Sequence, residues 1–201
     1  MTDDALDDLD ASVRRTDPDR WLASRFIADA DARDDGIALY AFDHELSRAL
    51  GMKDALMAEI RLTWWAEVVA EVFEGRTVRR HPVSLALSQA VTRRDLPRAP
   101  LDAMVDARFA LIGEPAHASE ATEAAVTTLA LRILGADDED AAKAAAATRF
   151  AVIDRKTANR RLSNLPVAAF PAVAHAAVAP GQGASLRGRL GILWAVLRGR
   201  L

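Results

Sequence analysis

No cysteine occurs in the 201 residues, which excludes disulfides, thiolate metal ligands and a thiol nucleophile. Charge of one sign is also missing in excess. The 26 Lys and Arg against 29 Asp and Glu leave −3, without the basic surplus a nucleic-acid partner requires, so no nucleic-acid binding is expected. Long apolar runs are absent too: the best candidate, from Leu165 to Ser185, is interrupted by Pro166, Pro171, His175 and Pro180. The opening MTDDALDDLD has neither the basic start nor the apolar core of a secretion signal. A cytoplasmic protein is expected, in contact with a membrane only at its periphery. Histidines are few and scattered singly, His44, His81, His117 and His175, so none has a second histidine at metal-ligand spacing.

What is present is helical. With 51% hydrophobic residues the chain is long enough for one domain and its core. Residues 1–16 read as an acidic flexible arm, in which the DDALDD from Asp3 to Asp8 imitates a metal motif but belongs to a solvated tail. Residues 17–201 read as a single helical domain. Asp17 caps and Pro18 begins a first helix that runs to a polar break at Arg33–Asp35. His81-Pro82 opens another, with His81 as a turn residue bonded to backbone. The next spans Leu96 to Gly113, where Asp102 and Asp106 form a DxxxD at the solvated flank of an apolar stripe. After a loop holding Ser119, a helix ends at Leu134 with Gly135 as its cap, and Asp137-Asp138 start an alanine-rich helix from about Glu139 to Arg161.

The stretch from Gly36 to Gly75 organises the rest. Leu39, Phe42, Leu46, Ala49 and Leu50 recur at helical spacing, and Gly51 stands where a left-handed C-terminal cap would end the turn. Tyr40, His44, Ser47 and Gly51 share a second face. A second helix, from Met52 to Glu74, has only a narrow polar strip and reads as mostly buried. Arg61 falls opposite that strip among Met57, Trp65, Val68 and Val72, where a guanidinium needs an anionic or carbonyl partner. Tyr40, His44, Ser47, Arg61 and Trp65 are therefore the candidate ligand cavity, although Trp64 and Trp65 are first of all core residues.

ALYAF at Ala38–Phe42, RLTWW at Arg61–Trp65 and HPVSLAL at His81–Leu87 together resemble the squalene/phytoene synthase family. The resemblance covers roughly residues 17–201 and implies an all-α, isoprenoid-synthase-like helical bundle, here truncated at its C-terminal end. Active members of the family join prenyl diphosphates with Mg²⁺ held by two aspartate-rich motifs, because paired carboxylates on one helical face present hard oxygens jointly to metal and diphosphate. The positions of the first motif hold Ser47, Arg48 and Gly51, and those of the second Asp154 and Ala158. A further aspartate of active relatives falls near Ala110. The resemblance thus implies no catalytic residues, no metal and no cofactor. It points towards the branch that includes a mitochondrial complex I assembly factor, and to a noncatalytic scaffold, assembly or lipid-binding factor. The alternative is a Mg²⁺-dependent prenyl-diphosphate transferase with rearranged ligands, drawing on Arg61, His44 and Asp43.

The last segment, residues 184–201, reads as a basic amphipathic helix. Leu186, Leu190, Leu193, Leu197 and Leu201 form a stripe beside Trp194, Arg187, Arg189, Arg198 and Arg200. The stripe either docks on the core or meets a membrane surface or protein partner, and the candidate small ligand is a prenyl or other lipid.

Overall fold

Local capping signals start most of the helices in the computed structural model, which describes residues 3–114 and 118–201, with side chains from Asp8 onward. Ten α-helices follow one another: α1 (Asp3–Thr16), α2 (Pro18–Ser24), α3 (Ala30–Leu50), α4 (Ala55–Phe73), α5 (Pro82–Arg94), α6 (Arg98–Phe109), α7 (Glu120–Ile133), α8 (Glu139–Arg149), α9 (Arg155–Arg161) and α10 (Leu186–Arg198). Three short 3-10 segments, Val167–Ala172, Ala174–Ala177 and Gln182–Ala184, link the last two. No strand occurs among the described residues.

Asp17 accepts from the Arg20 amide at the start of α2, and Asp138 from Ala141 at the start of α8. His81 Nδ1 accepts from the Val83 amide, and Ser119 and Thr122 close a reciprocal capping box on α7. Gly135 takes the left-handed conformation after α7 as expected, with φ 75°. Gly51 does not: its φ is −74°, so α3 ends in a right-handed turn.

The expected flexible arm is a helix. Leu9 and Val13, four apart on α1, are buried in the core, and Asp10 accepts from Trp21 Nε1 at 2.9 Å and pairs with Arg25 at 2.7 Å. Composition suggested a solvated tail, but one apolar stripe and one carboxylate suffice to dock it. His117 and Pro115, and the side chains of the DDALDD segment up to Asp7, lie outside the described residues. The expected break at Arg33–Asp35 is continuous helix, because buried Asp35 is held by Arg93 at 2.9 Å and Arg94 at 2.7 Å from α5. Conversely, the expected single helix from Glu139 to Arg161 is two: α8 stops at Arg149, Ala151 adopts φ 57°, and Asp154 caps α9.

Helix α3 is the centre, packed against α1, α2, α4, α5, α6 and α7 and burying Ile37, Leu39, Phe42 and Leu46. Alanines at 141, 142, 144, 145 and 146 are fully buried and let α8 approach α7 closely. Helix α4 is less buried than its sequence suggests: Trp65, Val68 and Val69 face the core, while Leu56, Met57 and Ile60 stand in solvent.

Candidate functional site

A cavity of about 270 Å³ opens where α2, α3, α6, α7 and the end of α8 converge, closed on one side by Pro180 and Gly181. Its floor comes from one face of α3, where Tyr40, Asp43, His44 and Ser47 fall at i, i+3, i+4 and i+7. Three arginines reach in from other helices. Arg20 of α2 contacts Asp17 at 2.9 Å, Asp43 at 3.2 Å and Glu123 at 2.8 Å. Arg108 of α6 donates from Nη2 to Asp43 at 2.5 Å and to Ser47 Oγ at 3.2 Å. Arg149 of α8 pairs with Asp19 at 2.9 Å and lies 3.5 Å from Glu123.

The carboxylates are used up by these partners. Asp17 receives the Arg20 amide and guanidinium on its two oxygens, and Asp43 receives Arg108 on one oxygen and Arg20 on the other. Asp19, fully buried, receives the Gly183 amide on Oδ1 and both Arg149 and the Gly181 amide on Oδ2. Glu123 faces Arg20 and His175 Nε2 (2.6 Å) with Oε1 and Arg149 with Oε2. Seven of the eight oxygens of the four carboxylates therefore accept a hydrogen bond from the chain itself, and the eighth, Glu123 Oε2, lies 3.5 Å from Arg149 Nε. Ser47 Oγ is likewise engaged, donating to the Asp43 carbonyl at 3.0 Å.

Burial and charge oppose each other in this cluster, and charge prevails at the carboxylates. Burial alone would raise Asp17 and Glu123, but Arg20 with Arg149 holds Asp17, and Arg20 with the His175 hydrogen bond and Arg149 holds Glu123, below their usual range, so both are ionised. Burial likewise works against the charge on Arg20, and the facing Glu123, Asp17 and Asp43 outweigh it. At His175 burial prevails, pushing the imidazole below its usual range although Glu123 pulls the other way. The neutral ring donates Nε2–H to the carboxylate. Burial keeps the Tyr40 phenol protonated, its ring 5.5 Å from the Arg20 guanidinium carbon.

Of the residues singled out in the sequence, Tyr40, His44 and Ser47 line this cavity, and Arg61 and Trp65 do not. Trp65 is fully buried in the core, edge-on to Phe42 and to His81. Arg61 is half-buried: of the apolar residues grouped with it, Trp65 and Val68 are buried in the core, Val72 is half-buried and Met57 is exposed, and none of them lines the cavity. Arg48 points away from the cavity and pairs with Glu45 at 2.5 Å, and Gly51 lies beyond it. Asp154 caps Thr157 and lines a separate hollow with Val152 and Val178, while Ala158 is buried. Arg187, Arg189, Trp194, Arg198 and Arg200 are exposed on or just after α10.

The chemistry of the donor set decides whether Mg²⁺ fits. An octahedral Mg²⁺ takes carboxylates with free oxygens. Here Ser47, Arg48 and Gly51 supply none, Asp43 is bracketed by two guanidiniums, and Asp154 opens on a different hollow. Among the described residues no three of His, Asp and Glu come together as a metal site. The residues do not fit the metal.

Arg20, Arg108, Glu123 and Arg149 are the cavity residues that the sequence reading missed, whereas Asp43 and His44, named for the rearranged-ligand alternative, both line it. One signal was available: Leu101, Val105 and Arg108 share a face at i, i+4 and i+7, so a cation sits on the apolar side of α6. The pairs join residues 23 to 130 positions apart, and such pairing leaves no local pattern.

No curated protein and no solved structure matches the chain. The description "Squalene/phytoene synthase" belongs to a family model that matches residues 13–153, more than half of the chain and including α2 to α8. With that match, the all-helical architecture and the position of the cavity over the ALYAF helix, the chain belongs to the squalene/phytoene synthase family.

Proposed function

We propose that this chain is a noncatalytic squalene/phytoene synthase-like protein that acts as a scaffold, assembly or lipid-binding factor. One observation carries the reading. The cavity carboxylates are all committed to arginines, amides and a histidine of the protein, so a Mg²⁺–diphosphate pair would have to displace buried guanidiniums. The cavity supports the same view by size, since about 270 Å³ lies below the roughly 300–1,000 Å³ of ordinary small-molecule sites and two prenyl diphosphates would not fit side by side. The sequence resemblance to the branch that includes the complex I assembly factor points the same way, since a protein-assembly role needs no open metal site.

Within this reading, a lipid ligand is favoured by one feature. Arg108 Nε and Nη1 and Arg20 Nε are buried without a partner among the described residues, so an anionic head group would find donors there rather than at Arg61.

Calorimetric titration with farnesyl and geranylgeranyl diphosphate, each with and without Mg²⁺, tests the proposal, together with an assay for diphosphate release. The expected outcome is release at background with or without the metal. Micromolar binding that requires Mg²⁺, or metal-dependent release, establishes the transferase alternative. Binding indifferent to Mg²⁺, weakened in Arg108→Met and unchanged in Arg61→Ala, identifies the lipid-binding form.

A further inference from the structure

Helix α10 is seated by its smallest residues. Gly188 faces the Gln182 carbonyl so closely that a Cβ there would collide with it, and a Cβ on Gly191 would lie 2.9 Å from Val178 Cγ1. Ile192 and Ala195 complete the buried face. This close backbone approach fixes the rotation of the helix and leaves its large apolar residues on the opposite side. Leu186 is 74%, Leu190 47%, Trp194 53% and Leu197 67% exposed.

At about 100° per residue these four fall within one stripe roughly 80° wide, with Arg187 and Arg198 along one border and Arg189 along the other. The Arg198 guanidinium carbon lies 4.4 Å over the Trp194 ring, at the edge of that stripe. Charge is segregated on a larger scale as well. All 29 Asp and Glu stand at or before Asp154, whereas eight Lys and Arg follow it. Asn159 of α9 bonds both the amide and the carbonyl of Leu201, at 2.7 and 3.0 Å, which brings exposed Lys156 and Arg160 beside the end of α10.

We propose that this face lies flat on an anionic lipid bilayer, with the leucines and Trp194 at the head-group boundary and the arginines against lipid phosphates. The observations favour a membrane over a protein groove. The face has cations on both borders and no Asp or Glu side chain to set a register, which suits a continuous negative surface, and among the described residues no helix is long and apolar enough to cross a membrane. The inference is independent of whether the cavity binds a ligand.

Flotation of the full chain with vesicles tests it, using phosphatidylcholine alone and phosphatidylcholine mixed equally with phosphatidylglycerol. Binding is expected only to the anionic vesicles and is lost at high salt. Each of Arg187→Gln and Arg198→Gln weakens it about fivefold, from roughly 1 kcal/mol per basic residue near such a surface. The double change Leu190→Asp and Leu197→Asp abolishes it while circular dichroism stays unchanged, since both side chains point outward. Failure to bind, equal binding to both vesicles, or survival of binding in the Leu→Asp variant overturns the proposal. If the wild-type chain is instead a dimer by light scattering and that variant a monomer, the face is an interface between copies, which also overturns it.

Discussion

Arginine is used in opposite ways at the two ends of this molecule. In the cavity Arg20, Arg108 and Arg149 are almost wholly enclosed and share four carboxylates drawn from α2, α3 and α7. On and just after α10, Arg187, Arg198 and Arg200 are exposed and make no ion pair among the described residues. The cavity over the ALYAF helix is closed upon itself, and the place that reads as an ordinary last helix presents exposed cations and apolar side chains. A buried ion pair that loses one member leaves a stranded charge, whereas an exposed arginine loses only hydration and screening. The two regions should therefore answer very differently to removal of one charge.

Asp43→Asn breaks the comparison hardest if it is mistaken. It leaves Arg108 buried with only Ser47 beside it and removes one of three carboxylates from Arg20. The expected loss is about 3–5 kcal/mol in urea unfolding. Adding Arg108→Met to Asp43→Asn should restore part of that loss, because the stranded cation is gone and an apolar chain of similar length fills its place. Arg198→Gln, by contrast, should stay within about 0.5 kcal/mol of wild type. Equal costs for Asp43→Asn and Arg198→Gln would mean that the cavity network is as solvated as the surface.

Gly188→Ala comes next and probes the seat of α10 without touching the network. The added methyl would meet the Gln182 carbonyl, a backbone atom that can yield only if the Gln182–Ala184 turn moves. Overpacking of this kind costs about 1–3 kcal/mol. Its signature should be local: faster proteolysis between Pro180 and Leu201, with the near-ultraviolet spectrum of the core unchanged. That turn is also clamped by Asp19, which accepts from the Gly181 and Gly183 amides, so a spread of the damage to α2 would show the two regions to be coupled.

These cases also show what the sequence made legible. Helix starts were readable at Asp17-Pro18, His81-Pro82 and Asp138, because a cap acts within three residues of itself, whereas Ser119, which caps α7, was read only as a loop residue. The break after Arg149 was not, since Ala151 carries its positive φ without a glycine to announce it. Periodicity on α3 placed Tyr40, His44 and Ser47 on one face correctly but could not say that Asp43 beside them would meet Arg108, 65 residues away. Arg61 was grouped with the cavity for a related reason: a helical wheel sets it beside Met57, Trp65, Val68 and Val72 but does not tell where that face goes, and Trp65 and Val68 enter the core away from the cavity while Met57 stands in solvent. On α10 the leucine stripe invited docking, yet the glycines offered the closer approach.

The smallest expected effect is a slope with pH, and it isolates the one network member that is neutral. His175 is buried against Glu123, with the Arg20 and Arg149 guanidiniums nearby, and its affinity for a proton is lowered in the folded chain chiefly by burial. The unfolded chain takes up that proton near the usual histidine value of about 6.5, so below it the unfolded state binds more protons and stability falls as pH falls. Asp17 and Glu123, also held below their usual range, add losses of the same sign only at the lower pH where unfolded carboxylates protonate. The interval from about pH 7 to about pH 5 therefore belongs to histidine, where one proton contributes at most about 1.4 kcal/mol per pH unit. His44 and His81 are lowered too, mainly by their partial burial, so the informative quantity is a difference. His175→Gln keeps an N–H donor towards Glu123 and removes the titration. Urea midpoints for the variant should decline less steeply than wild type over that interval; an identical slope would mean that His175 takes up its proton in the fold as readily as in the unfolded chain, and a steeper decline that it is already charged inside the fold.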